Sequence, residues 1–331
     1  MENTQELKKP VNQKLLEKVD LRHLVIGSSG QVGFSLLNII HNKSEEVIGT
    51  FNNTSLNSKF TNEIPPGRLF KLDINNYKQI EKLIIEINPD VIYIPAANTN
   101  VDYCELNEKE SYQTNYIAIT NIVSAINNIK DKLKRKKEPL VVFYSTDYVF
   151  DGEIGLYKES DITNPINFYG KHKLLAEQYL LENSKHYIII RTNCVFSNDK
   201  KNFVGRLVEN LKNNKEVNIV DDEFGTPTYA PDLAEGTLRL VENIGYGLRN
   251  EKTTLVNLVG SGYVSRYEFA LKIAEIFNCK SSLIKPIKSD SLNRPAKRPL
   301  LGGLNIDLAE NLIGRKMMNY IDGLKELKNG T

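Results

Sequence analysis

The chain has 331 residues, which is enough for two domains or for one large unit with a smaller lobe. Its 43 Lys and Arg residues nearly balance its 41 Asp and Glu residues, and a net charge of +2 predicts no nucleic-acid partner. Residues 1–20 form a polar tail without the apolar region of a secretion signal, and no apolar stretch approaches the ~18 residues of a membrane span, so we expect a cytoplasmic protein that does not bind membranes.

The first half of the chain alternates short apolar runs with stretches of helical periodicity. The runs are apolar at nearly every position, which is typical of strands buried on both faces of a parallel sheet. The predicted strands lie at 21–27, 47–51, 68–73, 89–97, 140–146 and 186–193, and the predicted helices at 31–42, 75–88, 105–130 and 167–184. This alternation predicts an α/β fold, a Rossmann-type doubly wound parallel sheet.

The alternation loosens after residue 194. We expect a helix over 203–214, a polar loop over 221–232, a helix from Pro231, a strand near 254–258 and a helix over 266–277. The predicted organisation is therefore a Rossmann domain over 21–193 with a return segment at about 223–250, and a smaller C-terminal α/β substrate lobe from 194–222 and 251–331.

A glycine-rich turn follows the first predicted strand and opens the first helix. Gly27, Gly30 and Gly33 suit a tight turn, the approach of backbone amides to a pyrophosphate, and close packing of helix on strand. We interpret the turn as a dinucleotide-binding site, although such spacing is also found in plain strand-to-helix turns.

The end of the second predicted strand bears on the choice of cofactor. Residues 49–53, which include Asn52, contain no acid to bind the ribose hydroxyl of NAD and no Arg to bind the phosphate of NADP. We expect NADPH or NADH, with NADP favoured. Asp73 ends the third strand, where it would accept a hydrogen bond from the adenine amino group or cap the helix that starts near Asn75.

Tyr169 and Lys173 lie four residues apart on one predicted helix, so their side chains share a face. Reduction of a ketone needs a proton donor, and a phenol can donate when an ammonium stabilises the phenolate. Thr146 ends the fifth strand, where it would orient the carbonyl. The pair by itself would more often be a surface Lys beside a half-buried Tyr; its position with the glycine turn and Thr146 favours catalysis.

Two sequence blocks then show a family resemblance: YSTDYVFDG at 144–152 and NPINFYGKHKLLAE at 164–177. With further matches over about 21–310, the chain resembles the extended short-chain dehydrogenases/reductases and, within them, the dTDP-4-dehydrorhamnose reductase branch. The resemblance implies NAD(P)H-dependent reduction of the 4-keto group of a nucleotide-activated 6-deoxysugar.

The resemblance also implies roles for individual residues. Thr146, Tyr169 and Lys173 match the catalytic triad of the family. The substrate positions are Thr146 and Asp147, which match where the sugar is held, and Arg298, which lies where the lobe meets the nucleotide sugar but would otherwise be a solvated loop charge. No metal site is expected. The implied cofactor contacts are Gly27, Gly30, Gln31, Val32, Asp73, Ile74, Ala96, Ala97 and Thr99, with Tyr169 and Lys173. Asn52, at the end of the second predicted strand, is expected to contact the cofactor as well.

Other interpretations stay open at this point. The chain is also similar to the regulatory β subunit of methionine adenosyltransferase, and a sugar-nucleotide 4-epimerase would share the fold. Cys194 stands where the rhamnose branch usually carries Trp beside the sugar, so the resemblance does not fix the sugar. The predicted helix 105–130 is either a homodimer interface or ordinary packing.

Overall fold

A computed structural model of the protein describes residues 21–43, 46–52, 67–129, 138–245 and 253–330. The predicted tail over 1–20 lies outside these residues. The central feature of the fold is a seven-stranded sheet of order β11-β6-β5-β4-β1-β2-β3, in which every neighbouring pair of strands is parallel. Its strands are β1 Arg22–Ile26, β2 Glu46–Phe51, β3 Leu69–Lys71, β4 Val91–Ile94, β5 Leu140–Thr146, β6 Tyr187–Thr192 and β11 Thr253–Asn257.

Helices cover both faces of this sheet. They are α1 Gln31–Asn42, α2 Tyr77–Ile87, α3 Val101–Leu106, α4 Glu108–Tyr112, α5 Ala118–Ile129, α6 Phe168–Asn183, α8 Ala230–Leu240 and α10 Asp307–Ile313. The side chains of α1, α8 and α10 form one apolar core against the sheet, and those of α2, α5 and α6 form a second core on its other face. The predicted doubly wound Rossmann-type sheet is therefore confirmed.

A third core lies beyond the sheet, between helices α7 Phe203–Lys212, α9 Arg266–Ile276 and α11 Tyr320–Asn329. Three short strand pairs accompany it. They are β7 Val195–Phe196 with β10 Thr228–Tyr229, β8 Val217–Val220 with β13 Ile284–Ile287, and β9 Phe224–Gly225 with β12 Val264–Ser265. The antiparallel β9–β12 pair brings the polar segment after residue 221 against the start of α9.

The structure corrects three expectations. The strand expected near 254–258 in the lobe is instead β11, the edge strand of the large sheet, because it pairs in parallel with β6. The predicted loop over 221–232 contains β9 and β10 and the start of α8. The single helix expected over 105–130 starts earlier, at Val101, breaks at Asn107, whose φ is −129°, and passes through one π-helical turn at Gln113–Ile117.

In the described ranges, no helix combines the length and the apolar character needed to cross a membrane. The same ranges contain no group of three or more His, Cys, Asp or Glu side chains placed to hold a metal ion.

Candidate active site

The glycine turn joins β1 to α1, and its backbone cannot accept ordinary side chains at two positions. Gly27 has a φ of +96°, and a Cβ there would lie 2.8 Å from Ala96. A Cβ on Gly33 would overlap the carbonyl oxygen of Gly27. A Cβ on Gly30, which precedes α1, would meet only the Gly27 carbonyl oxygen, at an ordinary van der Waals distance of 3.6 Å. The first turn of the helix thus presents free amides to an uncrowded cradle that an anion could fill.

The other predicted cofactor positions lie at the carboxyl edge of the same sheet. Asn52 follows β2 and is exposed, Asp73 and Ile74 follow β3 and are partly buried, and Ala96, Ala97 and Thr99 follow β4, with Thr99 exposed. The Ala96 amide donates to the Ile26 carbonyl over 3.1 Å, which fixes this loop beside the glycine turn. Their role as cofactor contacts remains a prediction.

Hydrogen bonds bear on the predicted roles of two side chains, Gln31 and Asp73. The Gln31 side-chain oxygen accepts from Ser197 at 2.8 Å and from Asn202 at 2.9 Å, so this side chain is directed at the segment after β7. Only its backbone amide is then free for a phosphate. Asp73 does not cap α2, because Asn76 accepts from the Gln79 amide at 3.2 Å, and the alternative of a capping Asp73 is wrong.

Tyr169 is in the first turn of α6, which begins where Asn167 accepts from the Gly170 amide at 2.9 Å. A Cβ on Gly170 would overlap the Tyr148 carbonyl, so only glycine lets the helix approach the end of β5 so closely. The approach places the Tyr169 side chain beside that of Thr146. The structure therefore brings these two predicted residues together.

Burial decides the protonation of Tyr169 and Lys173. Tyr169 is 8% exposed, and burial raises the pKa of its phenol more than the nearby Thr146 side chain lowers it, so the phenol stays protonated at neutral pH. Lys173 is 2% exposed, its Nζ lies 4.0 Å from the centroid of the Phe143 ring, and burial lowers its pKa to about 7. The alternative of an exposed lysine is therefore wrong.

Asp147 is buried and has partners from three segments. It accepts hydrogen bonds from Asn193, from the Gly303 amide at 3.3 Å and from Thr146 at 3.3 Å. Burial raises the pKa of the Asp147 carboxyl to about 6. The carboxylate thus joins the end of β5 to the loop at 302–303, and contact with a sugar is only a prediction.

Arg298 is not a solvated charge. Its side chain is 11% exposed, pairs with Asp102 at 2.9 Å and donates to the Ala296 carbonyl at 2.8 Å. These contacts tie the loop before residue 300 to α3. Its predicted contact with the nucleotide sugar would require part of this arrangement to be shared with the substrate.

A cleft opens beside these residues, between the edge of the large sheet and the third core. Tyr148 lines it, and the ring of Tyr148 meets that of Tyr169 edge to face at 5.9 Å. Other lining residues that the sequence analysis missed include Asn193, Glu223 and Arg266. Asn193 ends a predicted strand, Glu223 lies in the predicted polar loop and Arg266 begins a predicted helix, and none of these patterns indicated a site.

The doubly wound sheet and the Tyr169–Lys173 pair beside Thr146 define an extended short-chain dehydrogenase/reductase. More narrowly, the chain belongs to the RmlD substrate binding domain family, whose model matches residues 21–330. This confirms the resemblance stated from the sequence.

Known relatives match over nearly their full length. A dTDP-4-dehydrorhamnose reductase of Aggregatibacter actinomycetemcomitans is 29% identical over 314 residues, which are 93% of this chain and 98% of the relative. A crystal structure of a hypothetical dTDP-4-dehydrorhamnose reductase from Sulfolobus tokodaii is 34% identical, with a TM-score of 0.77 and coverage of 92% and 99%. The Bacillus anthracis dTDP-4-dehydrorhamnose reductase, crystallised in complex with NADP, is 26% identical, with a TM-score of 0.76 and coverage of 94% and 100%.

Proposed function

We propose that this protein is an NAD(P)H-dependent reductase of the 4-keto group of a nucleotide-activated 6-deoxysugar, similar to dTDP-4-dehydrorhamnose reductase. The observation that carries the proposal is that buried Tyr169 lies beside Thr146, at the end of β5, with buried Lys173 one turn further along α6. The names of its relatives support the substrate class.

The residues present fit a dinucleotide. The open cradle at Gly30 and the backbone amides of Gln31 and Val32 would hold the pyrophosphate, and Ala96 would lie against the cofactor beside Gly27. NADPH is favoured over NADH because residues 49–52 contain no acid, and a related reductase was crystallised with NADP. The reduced nicotinamide, when bound, supplies the hydride for the carbonyl carbon.

The chain itself supplies the proton and the orientation. Thr146, whose hydroxyl donates to Asp147 in this structure, would turn that proton to the carbonyl oxygen and so orient it, while the Tyr169 hydroxyl gives its proton to the oxygen as negative charge develops there. This leaves a phenolate in a buried site. The protonated form of Lys173 stabilises that phenolate, and its pKa of about 7 lets it gain or lose a proton at neutral pH.

The setting of the reaction is also part of this proposal. We expect a cytoplasmic enzyme that acts on a nucleotide sugar and not on nucleic acid, consistent with the net charge of +2 and with three free cysteines, Cys104, Cys194 and Cys279. A homodimer is a further prediction, which sedimentation of the purified protein would test.

The test is a panel of dTDP-, UDP- and GDP-linked 4-keto-6-deoxysugars, with consumption of NADPH and NADH followed by absorbance. Tyr169→Phe should lower kcat by about 10²-fold or more and leave the Kd of the cofactor nearly unchanged, because only the donated proton is lost. Tyr179→Phe is the matched control: it lies on the same helix, bonds to Ser124 at 3.0 Å, and should keep full turnover.

Three outcomes would contradict the proposal. Unchanged turnover of Tyr169→Phe would remove the proton donor. Sugar conversion without added reductant would indicate a 4-epimerase. Absence of turnover with every sugar, together with co-purification with a methionine adenosyltransferase, would indicate a regulatory subunit.

A further inference from the structure

Three arginines lie in or near the cleft, and two of them are already neutralised. The Arg294 guanidinium contacts the Glu223 carboxylate in an ion pair, and Arg298 pairs with Asp102 at 2.9 Å. Arg266 differs, because it pairs with no carboxylate in the part of the chain that the structure describes. It is therefore the cleft cation whose charge is not balanced by the protein.

The position of Arg266 is fixed by its surroundings. It is the first residue of α9, which starts at a capping box formed by Ser265 and Glu268. Its backbone amide donates to the Glu223 carbonyl over 2.8 Å. Its guanidinium carbon lies 4.1 Å from the centroid of the Phe203 ring, and its Nη1 lies 4.0 Å from the Cys194 sulfur.

The stacked guanidinium is a preorganised anion site. Stacking on Phe203 holds the plane of the fork, so little side-chain entropy is lost when a ligand binds, and most of its N–H donors remain uncommitted. The cleft carboxylates do not compete for it, since Glu223 is paired with Arg294 and Asp147 is held by Asn193. A planar fork of this kind suits the oxygens of a phosphate, which it can bind through two parallel hydrogen bonds.

We propose that Arg266 binds the diphosphate of the nucleotide substrate and is the main anion-binding side chain of the cleft, in place of the Arg298 that the resemblance suggests. This inference rests on the proposed function, which supplies a nucleotide diphosphate as ligand. Asp147 and Tyr148, which follow Thr146 at the end of β5, line the same cleft as Arg266, so a diphosphate at Arg266 and its sugar would share this cleft.

The test measures binding rather than turnover. The dissociation constants of dTDP, UDP, GDP and the phosphate-free nucleoside thymidine are measured by calorimetry on the full chain in the presence of saturating NADP. Arg266→Gln should weaken the tightest-binding diphosphate by about 10- to 100-fold, the worth of charge-assisted hydrogen bonds, and leave thymidine unchanged. Arg266→Lys keeps the charge but loses the planar fork of donors, so its dissociation constant for the diphosphate should lie between those of the wild type and Arg266→Gln.

Arg239→Gln is the matched control, because it removes the same charge from a surface pair with Glu235 on α8. It should bind diphosphates as the wild type does. Diphosphate binding by Arg266→Gln within about twofold of wild type would overturn the inference, and so would a wild-type protein that binds none of the three diphosphates at millimolar concentration. If the Gln variant does not fold, the Lys variant decides by the same criterion.

The two proposals fail separately. Diphosphate binding that depends on Arg266, with no 4-keto sugar reduced, would leave this inference standing and remove the reductase. Reduction of a sugar by Arg266→Gln with the KM of the wild type would leave the reductase proposal standing and remove this inference.

Discussion

Lys173 carries a cost in stability that a substitution can reveal. Its ordinary pKa of 10.5 falls to about 7 in the folded protein because the amine is buried. At neutral pH the unfolded chain keeps the proton that the folded chain partly gives up, and each pKa unit is worth about 1.4 kcal/mol. Burial of this amine therefore costs the folded state up to about 5 kcal/mol at pH 7.

Lys173→Met keeps the length of the side chain and removes the charge. We expect the variant without cofactor to gain about 2–5 kcal/mol in the free energy of unfolding at pH 7, and to melt about 3–7 °C higher, while losing reductase activity. The lower bound allows for the contact with Phe143, which the ammonium makes at 4.0 Å and the variant would lose in part.

The sign of the pH dependence follows from the lowered pKa. Between pH 7 and 10.5 the unfolded state binds a proton that the folded state has released, so the wild type gains stability as the pH rises. The advantage of Lys173→Met should be largest at and below pH 7 and should shrink towards pH 10.5. Urea unfolding of both proteins at pH 7, 8 and 9 measures this.

Lys171→Met is the control, since Lys171 is an exposed lysine on the same helix. It should change stability little and without this pH dependence. A Lys173→Met protein that is less stable than the wild type, or whose difference from it is the same at every pH, would refute the argument that burial sets the charge of Lys173.

Two further comparisons test the architecture. Gly33→Ala should lower the free energy of unfolding by about 2 kcal/mol or more and abolish NADP binding, because its Cβ would overlap a carbonyl of the glycine turn. Gly30→Ala should fold normally. Thermal melts measure the stability of both variants, and cofactor titration measures their binding. Glu177→Ala should destabilise the fold by about 3–5 kcal/mol, because it leaves the buried charge of Arg191 unpaired. Glu235→Ala, which removes a surface ion pair, should cost less than about 1 kcal/mol. Urea unfolding measures both, and equal costs would contradict the importance of the buried pair.

Much of the sheet could be predicted from sequence because its signals are local. The strands predicted at 140–146 and 186–193 contain unbroken apolar runs, LVVFY and YIII, and β5 and β6 occupy almost the same residues as the predicted strands. The glycine turn was likewise predictable, since the positive φ of Gly27 and the overlap of a Gly33 Cβ with the Gly27 carbonyl both arise within seven residues of chain. The pairing of Tyr169 with Lys173 followed from helical spacing alone.

The errors arose where a distant segment supplies the partner. β11 was assigned to the lobe because its place in the sheet depends on pairing with β6, and no pattern within residues 253–257 shows this. The π-helical turn that interrupts the expected helix 105–130 holds Asn115, whose side chain donates to the Asn98 carbonyl over 3.0 Å. The periodicity of one segment carries no information about its hydrogen bonds to a distant segment.

The sequence by itself determined six of the seven strands of the sheet, the glycine turn and the spacing of Tyr169 and Lys173, because strand patterning, turn sterics and helix periodicity depend on near neighbours in the chain. Only the tertiary structure decided which charges are neutralised and which are free. Arg298 is paired with a carboxylate 196 positions before it, whereas Arg266 has no such partner among the described residues. The charge state of Lys173 was likewise set by folding, since desolvation is a property of the packed interior.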